Sequence, residues 1–235
     1  MERRHFLRTC AVLGGTAGLA APAGAVAADT PPRPYAKTRL VDIHGEPIRA
    51  DNLVVDTNYV FNYPYVSTPC FLLKLGRRVD ANSDLRRLDG AKYTSPGGIG
   101  PGANLVAFSA ICAHKLAYPT RDVSFIRFQK DRSPTTSGDV IHCCADHSVY
   151  DPAAGARVVA GPAPQPLAGI VLDYDGVKRE LYAVGTVGPE QFDAFFAKYE
   201  TKLALEYGDR RARATVADTA VVRELEKYCK TTIRC

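Results

Sequence analysis

Away from its N-terminus the chain has no apolar run near the ~20 residues that a membrane-spanning helix needs. Charge of one sign is scarce as well. The formal net charge over 235 residues is only +5, and no basic stripe with interleaved aromatics occurs, so nothing argues for a nucleic-acid partner. The small basic knot of Arg210, Arg211 and Arg213 reads as solvated surface. There is no internal repeat. What remains is ordinary globular composition, at a length that suits one sizeable domain with extensions better than two full domains.

The N-terminus is a different kind of segment. Arg3-Arg4-His5-Phe6-Leu7-Arg8 resembles a twin-arginine export signal, with Cys10 to Val26 small and weakly apolar behind it. Ala25-Val26-Ala27 supplies a cleavage pattern, so residues 1–28 are expected to be a signal peptide. The expected location is the periplasm. An uncleaved membrane anchor is the alternative, disfavoured by Pro22 and by poor hydrophobicity. That export route carries folded proteins, so a cofactor can be inserted before export.

Residues 29 to about 37 are proline-rich and read as a linker. Short runs rich in Val, Ile, Tyr and Phe follow, broken by Gly, Pro, Asp and Asn. They predict strands near residues 39–43, 53–61, 70–75, 105–112, 124–129, 140–144, 157–160, 169–173 and 180–184. Asp89-Gly90 marks a tight turn, and residues 95–102 form a long glycine-rich loop. After Gly188 the period changes. Residues 189–199 have helical spacing, and a second helix is predicted from about Val216 to Lys230. The fold class is therefore mainly β, with a helical extension over 188–235.

Two short motifs carry chemistry: Cys112-Ala113-His114 and Cys144-Ala145-Asp146-His147, with residues 115–143 between them. Each places one sulfur and one nitrogen donor on a tight loop. Two facing loops of this kind can hold two irons, two thiolates on one and two imidazoles on the other. Two Cys and two His are also a zinc set, so a zinc-stabilised binding module stays open. Cys143, next to Cys144 on a strand, should face the opposite way and reads as core packing, as does Cys70. A Cys70–Cys143 bridge is conceivable without support. Cys229 and Cys235 could pair to pin the tail, although spacing does not fix connectivity.

Beyond the donors, Leu105 to His114 resembles the strand that leads into the first cluster loop of the Rieske [2Fe–2S] family. Tyr150-Asp151, Gly155, Leu167 and the run Gly161-Pro162-Ala163-Pro164 resemble the stretch after its second loop. The resemblance covers about residues 100–185, and 38–99 more weakly. It implies an antiparallel β sandwich over 38–187, with the cluster-binding part at about 100–168. The implied ligands are Cys112, His114, Cys144 and His147. Ser148 and Tyr150 would be the hydroxyls that tune the cluster, and Gly161, Pro162, Ala163 and Pro164 the loop that covers it. The chain departs from the cytochrome bc type at Ala117 and Asp146, where that type carries a disulfide. The long spacer suggests an insertion around 121–139. His114 and His147 would sit at an exposed tip.

The implied function is one-electron transfer, as a subunit of a periplasmic oxidoreductase like the small subunit of arsenite oxidase. The partner would be a redox protein, either that enzyme's large subunit or a cytochrome c. A membrane-anchored quinol-oxidising subunit of a bc-like complex is the alternative. The sequence has five histidines, and once His5 and the two ligands are set aside, His44 and His142 are too far apart to supply the close pair of a mononuclear oxygenase iron. No independent catalytic site is expected.

Overall fold

The computed structural model describes residues 29–208 and 210–235; the export-signal segment 1–28 lies outside them. In chain order the first strands are β1 (Arg33–Val41), β2 (Tyr59–Asn62), β3 (Pro69–Lys74), β4 (Asn82–Arg86), β5 (Lys92–Ser95) and β6 (Leu105–Ser109). Then come β7 (Val123–Ser124), β8 (Ile126–Gln129), β9 (Val140–Cys143), β10 (Ser148–Asp151) and β11 (Arg157–Ala160). The remainder is β12 (Gly169–Asp175), β13 (Glu180–Val187), helix α1 (Phe192–Tyr207), β14 (Thr219–Val221), β15 (Arg223–Glu224), a single helical turn α2 (Leu225–Tyr228) and β16 (Thr231–Thr232).

The fold is mainly β. Eight strands form one sheet in the order β14-β1-β13-β12-β6-β3-β2-β15. Its central strands alternate between two cores because successive strand residues face opposite ways. Phe71, Leu73, Val106 and Phe108 enter one core, while Cys70, Leu72, Leu105 and Ala107 enter the other. A second sheet, β11-β10-β9-β8, covers the first of these cores with Ile126, Phe128, Ile141, Cys143 and Tyr150. Its strands fall between β6 and β12 in sequence, so it is an inserted subdomain carried by the large sheet.

The tail corrects the expectation of a second helix over 216–230. Only α2 is helical there. β14 pairs in parallel with β1, and β15 pairs antiparallel with β2. With a single residue, Val222, between them, the two strands bridge opposite edges of the large sheet and cover both. The burial of Ala220 and Val222 on either side of Val221 is a strand pattern, period two, and it outweighs the weak helical reading. The expected linker is also partly strand, since β1 starts at Arg33 and contains Pro34. Its register against β13 shifts between Pro34 and Thr38, which accommodates a residue without an N–H.

Helix α1 buries Phe192, Phe195, Phe196 and Leu203 against Ile111 and Tyr118. The positions recur at helical spacing, as the sequence suggests, although the helix opens at Phe192, three residues later than expected. Among the described residues no helix is long and apolar enough to cross a membrane.

Candidate metal centre

The first loop leaves β6 at Ser109 and turns back on itself through Leu116 N–H to Cys112 O (3.0 Å) and Cys112 N–H to Ala117 O (2.9 Å). It is pinned from outside by α1. Gln191 Nε2 donates to Ala113 O at 3.0 Å, and Tyr118 packs edge-on against Phe195 with ring centroids 4.9 Å apart. Cys112 is fully buried, whereas the His114 side chain is 35% exposed.

The second loop joins β9 to β10. The hairpin register pairs Ser148 with Cys143 and Tyr150 with Ile141. Directly opposed residues share a face, so Cys143, Ser148, Ile141 and Tyr150 all point toward the core that contains Cys112. His147 closes the turn at φ +59°. The Gly161 loop lies directly on this turn: a Cβ at Gly161 would stand 2.3 Å from His147 O, and Gly161 itself holds φ +83°. Only glycine satisfies both demands. Of the rest of that loop, Ala163 packs on the core while Pro162 and Pro164 are exposed.

The structure does not assemble the four donors expected from the spacing. Cys144 is bonded to Cys235 in a disulfide, so its sulfur is already committed. His147 lies on that side, its ring 5.6 Å from the His142 ring, with the Cys235 sulfur 3.5 Å from the His142 nitrogens. Cys235 pairs with Cys144 and not with Cys229, the pairing that the tail spacing left open. Cys229 is a free thiol buried in the core, its pKa pushed up to about 12 by desolvation. The C-terminus reaches the second loop because β16 pairs with β7, inside the spacer read as an insertion. Cys70 is likewise free and buried, donating to Tyr63 O.

What meets Cys112 and His114 is Cys143 and Asp146. Ligand atoms of Cys112, Cys143 and Asp146 all lie within 4.8 Å of one another. Asp146 Oδ2 is 2.8 Å from His114 Nδ1 and 3.5 Å from the Cys112 sulfur. Its side chain is only 3% exposed. Burial opposes its charge, but the Ser148 N–H and the His114 imidazole more than offset that and hold its pKa below the usual carboxylate value. Cys112 is lowered to about 7, chiefly by its hydrogen bond with Cys143 and against desolvation, with Tyr150 assisting. Cys143 is pushed up by its Cys112 neighbour and by burial.

Tyr150, buried at the floor, places its hydroxyl 3.5 Å from the Cys112 sulfur and accepts from Ala113 N–H at 3.0 Å. Ser148 is fully buried, and its Oγ has no hydrogen-bond partner among the described residues. Cys143 and Asp146 are the residues that spacing alone misses. Alternation back from Tyr150 reaches Asp146, and only the hairpin register, Ser148 opposite Cys143 and Tyr150 opposite Ile141, puts Cys143 on the tyrosine's face. The remaining histidines sit as expected, His44 in a turn on Asp42 and His142 buried within β9.

No protein-family model matches the chain. Among solved structures it is similar to the soluble domain of the Rieske protein II (soxF) from Sulfolobus acidocaldarius. The two share 24% sequence identity at a TM-score of 0.49, over 84% of this chain and 96% of that one.

Proposed function

We propose that the chain is an exported one-electron-transfer protein whose two facing loops hold a Rieske-type [2Fe–2S] cluster. The observation that carries this reading is the convergence of two buried thiols from separate loops with an imidazole and a carboxylate beside them. The fit to a sulfide-containing group rests on Ser148. Its buried hydroxyl makes no hydrogen bond among the described residues, although it lies close enough to the Asp146 carboxylate to help lower its pKa, and a bridging sulfide would offer it an acceptor. Zinc could use the same donor types but would leave that hydroxyl unanswered.

When bound, such a cluster takes up and releases single electrons at potentials of roughly −150 to +300 mV. The chain's own residues do the rest. The core behind Cys112 and Cys143 excludes water from the sulfurs. Tyr150 donates to sulfur and so favours the more electron-rich state. Helix α1 holds the first loop rigid through Ile111 and Tyr118. The exposed edge of His114 is where a redox partner, an oxidoreductase large subunit or a cytochrome c, would approach. Export is supported by the Arg3-Arg4 segment and by the Cys144–Cys235 bridge, since disulfides persist in oxidising compartments.

The test is anaerobic reconstitution with iron and sulfide, followed by iron and acid-labile sulfide analysis and paramagnetic resonance after dithionite reduction. Two irons and two sulfides per chain with a spin-half signal on reduction are expected. A protein that binds one zinc and takes up no sulfide would overturn the reading.

A further inference from the structure

The four donors facing one another differ from the pairs that the motif spacing suggests, and the difference has a chemical meaning. We propose that the centre is held by Cys112 and Cys143 through sulfur and by His114 and Asp146 through nitrogen and oxygen, so that a carboxylate replaces one of the two imidazoles. This rests on the cluster reading above and specifies its ligands.

Three independent observations support it. The β9–β10 register puts Cys143 on the same face as Ser148 and Tyr150, and Tyr150 reaches the Cys112 sulfur. Cys144, one residue on, points the other way and is bonded to Cys235. Asp146 is buried against Cys112 and His114, while His147 is exposed and stands beside the His142 ring. A buried carboxylate costs free energy unless it is paired. Here it meets one imidazole and a thiol pair, a site that a cation completes.

An aspartate brings one negative charge where a neutral imidazole would bring none. Added negative charge at a cluster disfavours the electron-rich state, so the potential should fall below that of a centre with two histidines. It also leaves His114 as the one imidazole ligand, and thus one exposed histidine edge for a partner where the usual arrangement has two.

The experiment uses the chain from residue 29 onward, reconstituted with ferrous iron and sulfide. Iron, sulfide and the reduced paramagnetic-resonance spectrum are read for the wild type and for Cys143→Ser, Asp146→Ala, Asp146→His and His147→Ala. Loss of an outer partner typically costs a metal site about 10–100-fold in affinity, and loss of a ligand more. Cys143→Ser and Asp146→Ala are therefore expected to retain less than about a tenth of the wild-type cluster. His147→Ala should keep cluster and spectrum. Asp146→His should keep the cluster, shift its g values and raise its potential.

A measurement without mutation guards against misfolded variants. Non-reducing peptide mass mapping of the loaded wild type should recover the Cys144–Cys235 peptide at full cluster occupancy. A loaded protein in which Cys144 is a free thiol, or a His147→Ala variant that loses the cluster while Asp146→Ala keeps it, overturns the ligand assignment and leaves the cluster reading intact. A wild type that binds no iron with sulfide overturns the cluster reading itself.

Discussion

The Tyr150 hydroxyl stands between the two halves of the site, 3.5 Å from the Cys112 sulfur and 3.0 Å from the Ala113 nitrogen. One phenol from the second loop's strand therefore fixes both the chemistry and the backbone of the first loop.

Tyr150→Phe should separate those two roles. Loss of the hydrogen bond to sulfur lowers the potential of the loaded protein. If the bond favours the reduced state by about 1.4 kcal/mol, the one-electron shift is about 60 mV downward. The Ala113 N–H is also left buried without an acceptor, which should cost about 1–3 kcal/mol of stability. A redox titration checks the first effect, and denaturant unfolding of the cluster-free protein checks the second.

Ser148→Ala should behave in the opposite way in the cluster-free protein. Its Oγ is buried without a partner, so removing it loses no bond within the protein and relieves an unpaired group. The cluster-free variant is expected to be as stable as the wild type or up to about 1 kcal/mol more stable. The loaded variant should instead show a lowered potential, because the donor to sulfide is gone. A cluster-free protein destabilised by 2 kcal/mol or more would mean that the hydroxyl has a protein acceptor after all.

Much of this was legible beforehand, and the exceptions have physical causes. The strands at 70–75, 140–144 and 157–160 follow from β-branched and aromatic runs between turn residues, and all three are found within a residue or so of those limits. Phe192, Phe195 and Phe196 announce α1 by their period, although the helix runs on past the expected limit at 199 to Tyr207. The first motif's Cys112 and His114 do face a second pair of donors. The second motif points to Cys144 and His147 and leaves Cys143 to the core, because spacing cannot say which of two adjacent cysteines faces the first loop, whereas the pairing of β9 with Ser148 and Tyr150 can. The tail was misread because Val221, Val222 and Leu225 satisfy a helical face as well as a strand, and only the open edges of the large sheet decide between them.

The Cys144–Cys235 bridge closes a loop with a sequence separation of 91. On the chain-entropy argument a loop of that length is worth about 4–5 kcal/mol. The double variant Cys144→Ser/Cys235→Ser should therefore unfold at clearly lower denaturant, with β16 and its pairing to β7 released first. Hydrogen exchange at Lys230, Thr231 and Ile233, whose amides donate to Arg121, Asp122 and Ser124, reports that release. Cys229→Ser should leave those three amides protected, since Cys229 takes no part in the bridge.

Gly161→Ala probes the contact between the covering loop and the second metal loop. An alanine there must hold φ +83° and place its Cβ 2.3 Å from His147 O and 2.6 Å from Ser148 Cα. The left-handed backbone costs about 1 kcal/mol, and the backbone overlap adds about 1–3 kcal/mol as the two segments move apart. The separation moves Ser148 and the turn at His147, so the variant should lose stability and also lose its cluster faster than the wild type. Gly45→Ala is the control. It has a similar φ of +85° and, among the described residues, no atom within 4 Å of the added Cβ. It should therefore pay only the backbone strain and leave the cluster's bleaching rate in air unchanged. Equal bleaching in the two variants would show that the Gly161 loop does not hold the second loop in place.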